Sequence, residues 1–237
     1  MEHVAGPIHR VPLGFVAAYL VAAHDGAAAT LVDTGVRGRA GPILEAVGRL
    51  PAGVGQGRVG DVLLTHCHGD HAGSLAAVVG RTGARVHAHP LDAAVVRAGG
   101  PQPPAVPGNP LVGLLGAVAG RLAPAGLEPA PVDVEIEEGA SVPGGLRAIH
   151  TPGHTPGHLS FLWPDDGGVL VVGDAAANVL GRLELGPVNS DPAVARASFA
   201  RLAGLDFEVA CFGHGPPLRG RANAAFRARL DRLAAHR

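Results

Sequence analysis

The sequence predicts an α/β protein built from two β-rich halves. Short apolar runs separated by Gly, Pro or Asp turns recur along the chain, and this pattern is typical of strands. In the first half, an apolar run at residues 62–64 leads into a polar loop and then a helix-forming stretch, a junction at which α/β folds present functional groups. Hydrophobic residues make up 47% of the 237 residues, so the chain can bury a core. We therefore expect two facing sheets within a single domain spanning residues 1–237.

Strands and helices alternate in the first half of the sequence. Two apolar runs are separated by a turn containing Asp25-Gly26, which is a strong hairpin signal. Ile43, Leu44 and Val47 recur at helical spacing, and Pro42 suits the first turn of that helix. The predicted elements are strands at 15–23, 28–33, 62–64 and 85–88 and helices at 42–50, 73–79 and 91–98.

The second half is richer in strands, and its end is helical. Asp191 suits the N-cap of one helix, and Phe226, Leu230 and Leu233 share a face of a closing helix. The predicted elements are strands at 132–136, 146–150, 159–163, 169–172 and 209–212 and a helix at 192–203 before the closing helix.

Residues at about 100–131 form an apolar insert between the halves. The insert is rich in Pro at both ends, and its helical stripe consists of Leu111, Leu114, Leu115, Val118 and Leu122. Something must cover such a stripe, and three alternatives stay open: a core helix, a lid over the functional site, or a contact in a homodimer. The near absence of charge predicts substrates that carry an acyl or aromatic group.

Composition excludes several classes of function. The formal net charge of -1 and the scattered arginines offer no basic surface to nucleic acid. No segment approaches the length of a membrane-spanning helix, and Pro12 and Gly14 interrupt the apolar run at 11–23. Two cysteines, Cys67 and Cys211, are too few for a disulfide scaffold, so we expect a cytoplasmic protein.

The densest group of functional side chains is Thr65-His66-Cys67-His68-Gly69-Asp70-His71. Three imidazoles and a carboxylate are costly to bury without partners, and metal binding removes this cost. His66 and His68 project to one side of an extended strand end and can hold one ion, whereas Asp70 and His71 follow a turn toward a second ion. Nitrogen and oxygen ligands of this kind suit zinc, iron or manganese. Cys67 should point away and pack in the core.

Three more polar clusters follow predicted strands in the second half. They contain His154 and His158, Asp174, and His214, and each is flanked by Gly or Pro, which give loops a fixed shape. A single Gly-His or Gly-Asp is more typical of a turn, but together with the histidine loop these clusters complete a set of ligands. Asp33, at an earlier strand end, is expected to tie the next loop through backbone N–H groups.

From Phe15 onward, the order of these motifs resembles the metallo-β-lactamase superfamily. The resemblance implies an α/β fold, the four-layered αβ/βα sandwich, and two divalent metal ions, Zn²⁺ with Fe or Mn as alternatives. It assigns His66, His68 and His154 to the first ion, Asp70, His71 and His214 to the second, and Asp174 to a bridge between them. His158 matches no family ligand and is expected to support the site. The motifs are Leu31-Val32-Asp33-Thr34-Gly35, His66-Cys67-His68-Gly69-Asp70-His71, Gly153-His154, Gly173-Asp174 and Gly213-His214.

Departures from the subgroups narrow the implied activity. Many β-lactamases of this fold carry Cys where this sequence has Asp174, and Ala72 replaces a further His, so the chain is more similar to the glyoxalase II and lactonase branch. The resemblance implies a hydrolase that acts on a small-molecule substrate and cleaves an ester-like bond, such as a thioester or lactone. In this hydrolase a hydroxide between the metals attacks, and Asp70 orients it or accepts its proton.

Other classes of protein remain open. A mononuclear iron persulfide dioxygenase keeps the same motifs, with His66, His68 or His154 and Asp174 as iron ligands. A true β-lactamase fits less well because of Asp174. A non-catalytic zinc protein also fits less well, because structural zinc sites usually use Cys and close with four ligands. The number and identity of bound metals distinguish these classes.

Overall fold

The computed structural model describes residues 1–22, 28–51, 57–104, 106–107, 126–186 and 188–235. In these ranges the chain forms a seven-stranded sheet, a six-stranded sheet and two small two-stranded sheets. The helices are α1 (Ala40–Gly48), α2 (Leu75–Thr82), α3 (Pro90–Ala98), α4 (Pro192–Ala203) and α5 (Ala222–Ala235). The strands are β1 (Glu2–Ala5), β2 (Ile8–Pro12), β3 (Ala17–Val21), β4 (Ala29–Val32), β5 (Val59–Leu63), β6 (Arg85–Ala88), β7 (Val106–Pro107), β8 (Val134–Glu135), β9 (Ser141–Val142), β10 (Leu146–His150), β11 (Leu159–Trp163), β12 (Val169–Gly173), β13 (Ala176–Val179), β14 (Arg182–Leu185), β15 (Val188–Asn189), β16 (Val209–Phe212) and β17 (Leu218–Arg219).

Both large sheets are mixed. The first has the order β1-β2-β3-β4-β5-β6-β8, antiparallel from β1 to β4 and parallel from β4 to β8. The second has the order β17-β16-β12-β11-β10-β9, in which only the β12–β16 pair is parallel. Parallel strands end at the same edge of a sheet, so the loops that follow β4, β5 and β6 lie side by side.

The two large sheets pack face to face, and helices cover their outer faces. Val21 and Leu63 of the first sheet share a buried cluster with Phe161 and Val171 of the second. Alternate residues of the same strands point the other way, because side chains alternate along a strand: Leu20 and Val62 pack with α1, α2 and α3. Helices α4 and α5 cover the second sheet in the same manner. The order helix, sheet, sheet, helix confirms the predicted four-layered α/β sandwich.

Most elements predicted from the sequence are present. Strands β6, β10, β11 and β16 and helix α4 have the predicted bounds, and Asp191 caps α4 by accepting hydrogen bonds from the N–H groups of Ala193 and Val194. The closing helix is α5, which buries Phe226 and partly buries Leu230. Alternation with period 2 and spacing with period 3.6 depend only on neighbouring residues, so they predict these elements without knowledge of the tertiary structure.

The first sheet and its helices differ from the prediction in several places. The segment 132–136 is predicted as a strand of the β-rich second half, but its strand β8 pairs with β6 in the first sheet. The sequence did not predict β1 and β2, whose polar His3, His9 and Arg10 obscure the apolar alternation. Helix α2 begins at Leu75 instead of residue 73. Strand partners depend on the path of the chain, which no local pattern reports.

Some predictions lie outside the described residues. These are the turn at Asp25-Gly26 and the leucine stripe of the insert, because residues 23–27, 105 and 108–125 are not described. The single domain and the homodimer also stay predictions. Within the described ranges, no helix combines the length and the apolar character that a membrane span requires.

Candidate metal centre

All seven predicted metal ligands converge where strands of both sheets end. The loop after β5 carries His66, His68, Asp70 and His71, and the loops after β10, β12 and β16 carry His154, Asp174 and His214. Potential ligand atoms within 4.8 Å of one another form three overlapping groups in the described chain. The groups are His66 with His68 and His154, His66 with His71 and Asp174, and Asp70 with His71 and His214.

His66, His68 and His154, the first ligand group, point three ring nitrogens at one position. Nε2 of His154 lies 3.1 Å from Nε2 of His66 and 2.8 Å from Nδ1 of His68. Two nitrogens bound to one tetrahedral zinc ion lie roughly 3.3 Å apart, given Zn–N distances of about 2.0–2.1 Å. The spacing of these nitrogens is therefore close to that of three ligands on one ion.

In His66 and His154, the ring nitrogen that points away from the metal position makes a hydrogen bond. This bond determines which nitrogen of each ring carries the lone pair. The Thr65 hydroxyl donates to Asp33 Oδ2 at 2.7 Å, so it accepts from Nδ1 of His66 at 3.0 Å. Nδ1 of His154 donates to the Val188 carbonyl at 2.6 Å. In the neutral rings both Nε2 atoms therefore present lone pairs to each other, an arrangement that a cation between them resolves. Burial lowers the pKa of His66, and it lowers the pKa of His154 to about 4, so both rings are neutral near pH 7.

The second ligand group consists of Asp70, His71 and His214. Its two histidine rings are held by the protein in the same way as those of His66 and His154. Nδ1 of His71 donates to Asp33 Oδ2 at 2.8 Å, and Nδ1 of His214 donates to the Phe15 carbonyl at 3.2 Å. Both Nε2 atoms face Asp70, whose Oδ2 lies 3.3 Å from His214 and 4.0 Å from His71. Each histidine thus has one nitrogen tied to the protein and the other directed into the site, as metal-binding histidines do.

Asp174 lies between the two ligand groups. Its Oδ1 is 3.3 Å from Nε2 of His71, and its Oδ2 is 3.2 Å from Nε2 of His214 and 3.7 Å from Nε2 of His154. In the described chain, His71 Nε2 and Asp174 Oδ1 are buried and lack a partner with hydrogen-bond geometry. Buried polar atoms seldom stay unpartnered, so a divalent cation fits this position.

The carboxylates make the second ligand group strongly attractive to cations. Burial alone would lower the pKa of His214, but Asp174 and then Asp70 raise it to about 10. Burial likewise opposes ionisation of His71, yet Asp174, Asp33 and Asp70 hold its pKa well above the ordinary value. Metal binding here would displace protons from both rings.

Two predicted supporting roles are visible in the structure. Asp33 accepts from a backbone N–H, as predicted, but this N–H belongs to Thr65 at 2.8 Å, so Asp33 ties the histidine loop after β5 rather than the next loop along the chain. His158 accepts from the N–H of Asp174 at 3.0 Å, and its Nδ1 pairs with the Thr151 hydroxyl at 2.8 Å. His158 thereby holds the loop of the proposed bridging residue, and it belongs to none of the ligand groups found among the described residues.

Cys67 packs away from the metal position, as its place between two ligands predicts. Its side chain belongs to the buried cluster between the first sheet and its helices. Burial and the nearby Asp92 raise the pKa of its thiol far above the ordinary value. A protonated, buried thiol is a poor metal ligand.

Glycines in the ligand motifs provide room for close contacts. A Cβ on Gly213 would overlap Asp174 and the ring of His71. Gly153 has φ +127° and lies against the backbone of Ala195 in α4. The Gly that precedes each of His154 and His214 is therefore required by packing beside the site.

Three residues beside the site were not selected from the sequence. Phe15 is 49% exposed, and its ring stacks on that of His214 with centroids 5.9 Å apart and planes at 16°. Gln102, near the start of the insert, accepts from the N–H of Gly69 at 3.3 Å. Asp92 is buried beneath the ligand loops. A lone Phe, Gln or Asp has no sequence signal that distinguishes it from other surface or helix residues.

A sequence profile described as Metallo-beta-lactamase superfamily matches residues 11–214. The chain belongs to the metallo-β-lactamase superfamily. This superfamily membership makes it a metallo-β-lactamase-fold hydrolase, and proteins of the superfamily generally bind divalent metals.

Several relatives of the chain carry hydrolase names. The chain is 33% identical over 220 residues to the Probable metallo-hydrolase YflN of Bacillus subtilis (strain 168). This match covers 86% of this chain and 80% of that protein. It is 32% identical over 240 residues to a Hydroxyacylglutathione hydrolase of Acidiphilium cryptum (strain JF-5), covering 98% of this chain and 76% of that one. The match to the Hydroxyacylglutathione hydrolase of Fuscovulum blasticum is 31% over 198 residues, 81% of this chain but only 60% of that enzyme.

Solved structures of the superfamily have the same fold. The Rm3 metallo-beta-lactamase superimposes with a TM-score of 0.71 and 24% identity, over 100% of this chain and 92% of that one. The MIM-1 enzyme of Novosphingobium pentaromativorans gives a TM-score of 0.70 at 24% identity, over 100% and 88% of the two chains. At this identity the likeness concerns the fold alone.

Proposed function

We propose that this chain is a dinuclear metal-dependent hydrolase, with zinc as the metal, that cleaves an ester-like bond in a small molecule. Thioesters and lactones are the proposed substrate classes. The observation that carries the proposal is the position of Asp174, whose two oxygens face His71 on one side and His214 and His154 on the other. A carboxylate placed in this way suits a bridge between two ions.

The relatives support the same branch of the superfamily. Two of the relatives compared above are named Hydroxyacylglutathione hydrolase, which describes cleavage of an acylated thiol. The chain spans only 60% of one of them, so a substrate that needs the remainder of that enzyme is not implied here. We therefore define the proposed substrate only by the class of bond that is cleaved.

In the proposed centre, the first ligand group would hold one ion and the second ligand group the other. Asp174 would bind both ions. When bound, two divalent ions lower the pKa of a water and polarise the substrate carbonyl. Asp70 is the general base: its side chain is 31% exposed, so it can reach a water. Burial opposes ionisation of Asp70, but His71 and His214 hold its pKa below the ordinary value, so it is a carboxylate at neutral pH. Phe15 provides an apolar wall beside His214.

We also propose that the protein acts in the cytoplasm. Cys67 and Cys211 are both buried and free. Burial raises the pKa of Cys211 to about 12, so this thiol stays protonated. Unpaired thiols in a folded core are compatible with a reducing compartment.

The test of the proposed function is a substrate panel on metal-loaded protein. Thioesters, lactones, phosphodiesters and β-lactams are assayed after zinc loading, after removal of the metal by a chelator, and after zinc is restored. We expect hydrolysis of a thioester or lactone that disappears with the metal and returns with it. Turnover of β-lactams alone would contradict the substrate class. One iron per chain with oxygen consumption on a persulfide would replace the hydrolase with the dioxygenase.

A further inference from the structure

We propose that Asp92 is a positioning residue that sets the geometry of the first ligand group. This inference rests on the proposed function, because it concerns histidines assigned to a metal there. Asp92 is on α3 and is 1% exposed. Its carboxyl group accepts three hydrogen bonds: from the N–H of Cys67 at 2.9 Å, the hydroxyl of Thr155 at 2.7 Å and the N–H of Gly157 at 2.8 Å.

These three donors belong to the two loops that carry the first ligand group. Cys67 lies between His66 and His68, whereas Thr155 directly follows His154. One side chain thus connects loops that are 88 residues apart along the chain and that meet at the site. Any shift of this carboxylate would move the ring nitrogens of both loops relative to each other.

The contact with the second loop requires close approach. A Cβ added to Gly157 would lie 2.5 Å from Oδ1 of Asp92. The second glycine of Thr151-Pro152-Gly153-His154-Thr155-Pro156-Gly157-His158 is therefore explained by the carboxylate beneath it. Among described residues, Asp92 has no ion-pair partner, so these polar donors are what stabilise it in the core.

Asp92→Asn is the most informative substitution, because the side chains have nearly the same size. Gly157 donates to Oδ1, and Cys67 donates to Oδ2. Asparagine has only one acceptor oxygen, so in either orientation its amide N–H₂ faces one of the two backbone N–H groups. The repulsion displaces one ligand loop without leaving a cavity.

Zinc affinity of the first site measures this displacement directly. We expect Asp92→Asn to bind zinc at the first ligand group about 10–100-fold more weakly than wild type in competition with a chromophoric chelator. The visible spectrum of the cobalt-substituted variant should also change, because it reports ligand geometry. The matched control is Asp61→Asn, since Asp61 contacts His87 and Arg85 and neither ligand loop. The control should keep wild-type zinc affinity and the wild-type cobalt spectrum.

A second pair of variants covers the case in which Asp92→Asn does not fold. Thr155→Val removes the hydroxyl that donates to Asp92, and Thr155→Ser keeps it. We expect weaker zinc binding in Thr155→Val and recovery in Thr155→Ser. Wild-type affinity and spectrum in folded Asp92→Asn, or in Thr155→Val, would overturn the positioning role and leave the proposed function intact. Failure of the wild-type protein to bind metal would instead overturn the proposed function, and this inference with it.

Discussion

The carboxylate of Asp33 accepts a hydrogen bond from Nδ1 of His71 at 2.8 Å, and both groups are buried. Asp33 has φ +62°, a backbone conformation that Asp tolerates better than most residues. The same carboxylate accepts hydrogen bonds from the N–H and the hydroxyl of Thr65. The Thr65 hydroxyl in turn accepts a hydrogen bond from Nδ1 of His66. One acidic residue that is not itself a proposed ligand therefore orients histidines of both ligand groups.

Replacement of Asp33 should weaken metal binding without removing a ligand. We expect Asp33→Ala to bind zinc about 10–100-fold more weakly, because His71 loses the acceptor that directs its Nε2 into the site. Competition titrations against a chelator measure this change. Two ions bound at wild-type affinity would show that the hydrogen bond does not orient the ligand.

Replacement of Asp174 should affect both metals. We expect Asp174→Ala to lose at least one ion per chain and most of the turnover, because its oxygens face both ligand groups. Elemental analysis and the zinc-loaded hydrolase assay measure the two effects. Near-wild-type turnover in this variant would contradict the bridging assignment.

Cys67→Ala is the matched control for Asp174→Ala. Its side chain lies in the core cluster, so we expect a stability loss of roughly 1 kcal/mol with metal content unchanged. A variant that lost metal as Asp174→Ala does would mean that the Cys67 side chain contributes to the site.

Phe15→Ala should change substrate preference and leave the metals in place. The exposed ring stacks on His214 and can cover the apolar part of a substrate. Burying an apolar group contributes about 1.5–3 kcal/mol, so we expect KM for a long acyl substrate to rise on the order of 10-fold or more. KM for a short acyl substrate and the metal content should change little. An equal change for both substrates would exclude a role in acyl recognition.

Tyr19 should stabilise the contact between the two sheets. Its hydroxyl, buried in the interface, donates to the Phe212 carbonyl of β16 at 2.8 Å. We expect Tyr19→Phe to lower the free energy of unfolding by about 1 kcal/mol in denaturant titrations of metal-free protein. An unchanged unfolding midpoint and slope would show that water replaces this hydrogen bond at no cost.

Alkaline pH provides an independent check on Tyr19. Burial raises the pKa of its phenol well above 10.0, so above pH 10 the folded state binds more protons than the unfolded state. The stability from the neutral phenol is present below pH 10 and is lost as the pH rises toward the folded value. The unfolding free energy should therefore fall less steeply above pH 10 in Tyr19→Phe than in wild type. Identical slopes in the two proteins would contradict a buried neutral phenol.

The sequence by itself determined the elements and the chemistry of the candidate ligands. Residues 85–88, 146–150 and 192–203 form the predicted elements, because alternation, helical spacing and the Asp191 cap are properties of neighbouring residues. Three histidines and an aspartate in six residues indicated a metal site for a similar reason, since their density is visible without a fold. The assignment of each ligand to an ion stays a prediction.

Only the tertiary structure decided how these residues meet. It placed β8 in the first sheet, Phe15 on His214, and Asp92 beneath loops that carry His66 and His154. It also determined which ring nitrogens are free, because that depends on acceptors such as Asp33 and the Val188 carbonyl, which are 38 and 34 residues from their histidines. Hydrogen bonds act over about 3 Å in space, whereas sequence patterns extend over a few residues of chain, so contacts between distant segments appear only when the sheets pack.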